Sequence, residues 1–289
     1  MSVGCYAFTN YTIRPAVNQW CSEDRDRVEG EFGHISTWNT SQVTSMHELF
    51  SDKKYFEEDI SMWDVSNVTD MSSMFKDAWS FNRPIGQWNV SKVTNMDSMF
   101  LGAQKFNQPI DQWDVSKANN MYCMFLLASS FDQPIGSWDV SQVTNMRHMF
   151  AEATAFNQPL AQWDVSKVTD MNCMFYKASA FNQPIGRWNV SKVTDMIGMF
   201  FEASSFNQSI GQWDVRNVTL MASMFCKATS FNQPLDQWDV SKVENICEMF
   251  KHATAFNQPI EQWNVDKARD MREMFADSGY THAPPTKKS

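Results

Sequence analysis

No stretch of 18 apolar residues occurs in the 289-residue chain, so a membrane-spanning helix is not expected. Residues 1–17 carry neither a basic segment nor an apolar run of signal-peptide length, and no export signal is expected from them. Glycine is scarce, ten in all, and none builds a phosphate-cradling loop. Positive charge is also short. The 24 Lys and Arg stand against 33 Asp and Glu, a net -9, and no basic cluster is available to neutralise nucleic-acid phosphates. Five histidines are scattered along the chain, and none sits in a motif beside a Ser or Cys that it would activate. These absences predict no enzyme and no cofactor. The six cysteines include no CxxC pair that would hold zinc. Cys123 and Cys173 share one repeat position but stand two coils apart, ~10 Å at strand spacing, which is too far for a disulfide. Reduced thiols in the cytoplasm or another reducing compartment are therefore expected.

What the chain has in abundance is repetition. Trp38 recurs every 25 residues, without slip, as far as Trp263, and Phe50 keeps the same step to Phe275. Such a period marks a tandem-repeat architecture in which each unit buries its apolar face only against its neighbours. The repeat runs over residues 35–279. Before it, residues 1–34 place Ile13, Val17, Trp20, Val28 and Phe32 at amphipathic helical spacing, which predicts an N-terminal helical cap with Trp20 packed on the first coil. After it, residues 280–289 are Pro-rich and basic, which predicts a disordered tail.

Within one unit, Val93, Met96, Met99 and Phe100 fall at helical spacing behind Ser91, a suitable N-cap, and predict a short helix over about residues 92–102. Residues 85–90 alternate and follow Pro84, which predicts a short strand. Asn82 and its equivalents are placed to bridge neighbouring coils through their side-chain amides. The fold expected is α/β: a right-handed solenoid of about ten strand-plus-short-helix coils, with a parallel sheet on the concave side and the wider helices on the convex side.

Three polar or soft rows carry the candidate chemistry. The residue after each Trp is Asp or Asn, and three consecutive carboxylates, Asp114, Asp139 and Asp164, make a candidate calcium row. The competing reading is that each caps the turn that follows, which the residue type favours. The Met row suits core filling better than copper ligation. The Thr row, broken by Asn119, Glu244 and Arg269, is too irregular for an ice-ordering lattice. Positions that drift from coil to coil are the place to seek a partner. Leu126, Tyr176 and Phe201 are the candidate contact residues there, unless they are half-buried between neighbouring coils.

The pattern I/L-x-x-W-D/N-V-S-x-V-T-x-M-x-x-M-F-x-x-A-x-x-F-N-Q-P, carried from Ile35 to Phe275, resembles the 25-residue repeat of BspA-like leucine-rich-repeat surface proteins. The resemblance implies a leucine-rich-repeat-like solenoid that contacts other proteins or surfaces, with no catalysis, and it adds the cell surface as an alternative location. The function expected is a protein-protein interaction or scaffold module. The alternative is a structural component of a larger particle, shell or surface layer, self-associating through its ends.

Overall fold

The structure, a computed structural model, describes residues 6–288; Cys5, the rest of the first five cap residues and Ser289 lie outside them. Two helices come first, α1 (Asn10–Trp20) and α2 (Arg25–Phe32), then a single 3₁₀ turn (Ile35–Thr37). The rest of the described chain is turns and irregular backbone stacked coil on coil, with no strand and no further helix. Neighbouring coils share one isolated parallel bridge per step, from Ser45↔Asp70 to Asn245↔Asp270.

The strand-plus-helix solenoid expected from the sequence, leucine-rich-repeat-like or otherwise, is therefore not what the chain forms, and the hydrogen bonds explain why. A helix keeps each amide for a carbonyl four residues back in its own chain. Here Met71, Ser73, Phe75 and Asp77 donate instead to Asn95, Asp97, Met99 and Leu101 of the next coil, at 3.1, 2.7, 2.9 and 2.7 Å. Only the amides between them close turns, Met74 to Met71 and Lys76 to Ser73. Two left-handed residues per coil, Ser73 and Asp77 here at φ 54° each, re-aim the backbone so that alternate amides face outward along the stack. The side-chain spacing that reads as helical is kept, because successive three-residue turns also bring Val93, Met96, Met99 and Phe100 to one interior, where all are buried. The expected strand fails for a different reason. Trp88 donates its amide to Ile85, closing a turn where a ladder would need the chain extended.

The interior is a set of aromatic columns. Phe100 meets Phe125 at 5.6 Å, Phe106 meets Phe131 at 6.0 Å, and the two columns touch within a coil at 4.0 Å. Each indole of the row Trp38 to Trp263 is 3–4% exposed. Removing ~200 Å² of indole from water is worth roughly 5 kcal/mol as an upper bound. The indole N–H is not lost in the process: Trp113 Nε1 donates to Ile85 O of the preceding coil at 3.1 Å, and Trp63 to Trp263 all repeat that bond.

The chain itself packs against both ends of the stack. On the first coil, Asn10 Oδ1 accepts the amides of Thr44 and Ser45, and Arg14 donates to His47 O. Those groups have no preceding coil to pair with, so α1 supplies what a neighbour would. Trp20 packs edge-on against Trp38 at 5.7 Å, and Phe8 stacks on the same ring at 4.6 Å. At the far end, residues 280–288 lie on the last coil, where composition alone predicts disorder. Tyr280 continues the phenyl columns, 4.0 Å from Phe275, Thr281 donates its amide to Asn257 Oδ1 at 2.9 Å, and Lys288 donates to Asp266 at 2.7 Å.

Candidate functional site

Each coil has two sides that differ in how they are held. On the side of residues 82–90 the links between coils are made largely by side chains. Asn82 Oδ1 accepts the Asn107 amide at 2.9 Å and Gln108 Nε2 at 3.0 Å, and the same pair of bonds recurs down the column, with Asp132 serving in one coil. This is the bridging role expected of Asn82, although the acceptor is its carbonyl oxygen and the main donor is backbone. On the opposite side, residues 70–77, the backbone makes the links and most outward side chains are spared that work. We call this second side the ladder face.

The calcium candidates lie away from the ladder face. Asp114, Asp139 and Asp164 are exposed, and each accepts the amide two residues on, from Ser116, Ser141 and Ser166 at 3.1, 3.0 and 3.0 Å. Hydrogen bonds from those serines hold the carboxyls of Asp114 and Asp164 below their ordinary range. The oxygens cap turns, as the residue type suggests. Asp139 and Asp164 also border a shallow groove of about 770 Å³ floored by Trp138, Pro134 and Pro159. Among the described residues no group of three or more His, Cys, Asp or Glu is arranged to hold a metal ion. A second turn-capping column, Asn95, Asn120, Asn145, Asp170 and their equivalents, is missed by the sequence analysis, although the recurrence of Asp or Asn at that one repeat position would have revealed it.

The partner candidates all fall on the ladder face. They sit in one column, which reads Leu101, Leu126, Ala151, Tyr176, Phe201, Cys226 over six successive coils. Leu126, Tyr176 and Phe201 are half-buried. Stacking brings Tyr176 and Phe201 together, rings 4.7 Å apart and 10° from parallel, while Leu126 stands two coils away across Ala151. Gly198, at φ 57°, lets Cys173 approach beside them: a Cβ there would meet Cys173 Sγ at 3.0 Å. The next column alternates in sign, Glu152, Lys177, Glu202, Lys227. Lys177 lies 4.0 Å from Glu152 and Lys227 2.5 Å from Glu202, and the two ammonium groups lie over the rings of Tyr176 and Phe201 at 5.2 and 5.6 Å.

The same face gathers three residues that the sequence reading keeps apart. Cys123, His148 and Cys173 hold one position in three successive coils, so an imidazole stands between two thiols. Burial pushes both thiols up to about 11, and burial together with Arg147 holds His148 below its usual range. Neutral thiols beside a neutral imidazole are poor nucleophiles. The five described cysteines form no disulfide.

No described helix is long and apolar enough to cross a membrane. No curated protein matches the chain. Three overlapping stretches, residues 22–134, 109–200 and 183–287, match the family described as Mycoplasma protein of unknown function, DUF285. The three matches retrace the tandem coils from α2 to the tail, and the chain belongs to that family.

Proposed function

We propose that the protein is a non-catalytic interaction module whose ladder face meets other proteins. The observation that carries this is the half-buried apolar column through Leu126, Tyr176 and Phe201, on the one side of the coil where side chains are not needed to join coil to coil. An apolar strip with charges alongside has the composition of a contact surface. The resemblance of the repeat to BspA-like surface proteins favours the same reading. The neutral thiols and imidazole of Cys123, His148 and Cys173 favour a role without chemistry.

The test is site-specific photocrosslinking in the native host. A photoreactive residue in place of Phe201 is expected to form protein adducts, and one in place of exposed Gln162, on the other side, is expected to form few. Equal yields at both positions would remove the ladder face as the contact surface.

A further inference from the structure

The charge column contains more information than a general contact surface requires. Read along the stack it runs Asp52, Asp77, Gly102, Leu127, Glu152, Lys177, Glu202, Lys227, His252, Asp277. The four residues from Glu152 to Lys227 alternate in sign and are 30–47% exposed, so they face outward while paired within the chain. Reversing an alternating row of even length exchanges every sign. Such a row is complementary to itself along its full length in the opposite direction, but not in the same direction.

We propose that the protein pairs with a second copy of itself through the ladder face, the two stacks antiparallel about a two-fold axis midway between the coils of Tyr176 and Phe201. The axis lies in the interface at right angles to the columns. It sets Lys177 against Glu202 and Glu152 against Lys227, each pair occurring twice, and Tyr176 against Phe201 at the centre. The proposal rests on the ladder face being the contact surface, and names its occupant.

Other registers fail on charge. An axis through a single coil lays Lys177 on Lys177 and Glu152 on Glu202. Moving the axis one coil toward the N-terminus sets Glu202 and Lys227 against Leu127 and Gly102. Moving it one coil the other way brings Glu152 against Asp277. A parallel arrangement in register places like on like throughout, and one shifted by a coil pairs three of the four charges but is not closed by a two-fold axis. The one register that pairs all four charges is also the one that brings the stacked aromatic pair onto itself, although charge and ring positions come from different columns.

Six coils at ~5 Å span ~30 Å, and a strip roughly 15 Å wide buries about 900 Å² over both copies, below the ~1,000 Å² of a stable interface and in the range of weak, transient pairs. A weak dimer, dissociating at micromolar or higher concentration, is expected of so small a contact.

Sedimentation velocity on the full chain, from about 5 to about 200 µM, is the test. The native chain is expected to move from monomer to dimer over that range. Lys177→Glu and Glu202→Lys each oppose like charges at two places per dimer, and each is expected to weaken pairing by about tenfold or more. An equimolar mixture of the two restores both pairs, since the introduced glutamate of one copy then meets the introduced lysine of the other, and is expected to recover the dimer. A folding defect in either variant would not be repaired by mixing. A native chain that stays monomeric throughout, or a mixture that associates no better than its components, overturns the proposal. If the chain is monomeric while the probe at position 201 still captures a different protein, self-pairing falls and the contact surface stands. If the probe captures nothing either, both fall.

Discussion

The two sides of a coil carry the same load by different means. On the ladder face the backbone joins one coil to the next, and the side chains there run through Asp97, Tyr122, Arg147, Asn172, Ile197 and Ala222 without pattern. On the other side Trp, Asn and Gln side chains make the joints, and those residues scarcely change from coil to coil. A peptide group is the same in every residue and leaves its side chain at liberty; a joint made by an indole or an amide holds its residue type fixed. Variation within this repeat therefore maps the places where structure asks nothing of the side chain, and a binding surface has room to arise there.

Breaking an indole joint should have the largest effect. Trp138→Ala removes a buried side chain and leaves Ile110 O without its donor, and is expected to cost about 3–5 kcal/mol, read as a lower urea midpoint. Trp138→Phe keeps much of the packing and should cost about 1–3 kcal/mol. An effect of Trp138→Phe below a few tenths would show that the indole bond is dispensable.

Next comes the amide column. Asn182→Ala strips the acceptor used by the Asn207 amide and Gln208 Nε2, for an expected loss of about 1–3 kcal/mol. Asn182→Asp should be close to neutral, because Asp132 already fills that role for Asn157 and Gln158. A large cost for the Asp variant would mean that the side-chain NH₂ matters as well as the oxygen.

Ladder-face changes should be small. Leu127, half exposed at φ 61°, should tolerate Gly with a gain of up to about 1 kcal/mol, since relief of ~1–2 kcal/mol of left-handed strain outweighs the added freedom of the unfolded chain. A clear loss of stability would show that this side is less permissive than the drift of its residues indicates.

The smallest effect is one of pH. Burial and Arg147 hold the His148 imidazole below its usual value. The unfolded chain then takes up a proton that the folded chain refuses as pH falls through ~6.5, so His148 contributes stability above that pH and loses it below. Melting temperatures at pH 7.5 and 5.5 should differ less in His148→Asn than in the native chain; Asn also suits the left-handed φ of 56° at that position. An unchanged slope would remove His148 as the titrating group.

Much of this was legible in the sequence, though unevenly. The period, the buried set and the bridging role of Asn82 follow from which residues recur. Secondary structure did not, because Val93, Met96, Met99 and Phe100 face one interior whether the backbone is helical or a run of turns. What separates the two is the left-handed φ at Ser98 and its equivalents, positions filled by Ser, Cys, His, Glu and only once by Gly. No residue preference announces them. The adjacency of Cys123, His148 and Cys173 was present in the spacing, but it becomes visible only when the chain is written in columns of 25.

The indole rows have an optical consequence. Trp113 and Trp138, Trp163 and Trp188, and Trp213 and Trp238 lie 6.4, 6.4 and 6.5 Å apart, within 6° of parallel. Excitation hops readily between like chromophores at such a separation. Ultraviolet light absorbed by one coil is shared along the row, its emission keeps most of the original polarisation because successive rings lie nearly parallel, and a single quencher seated on any coil darkens its neighbours as well.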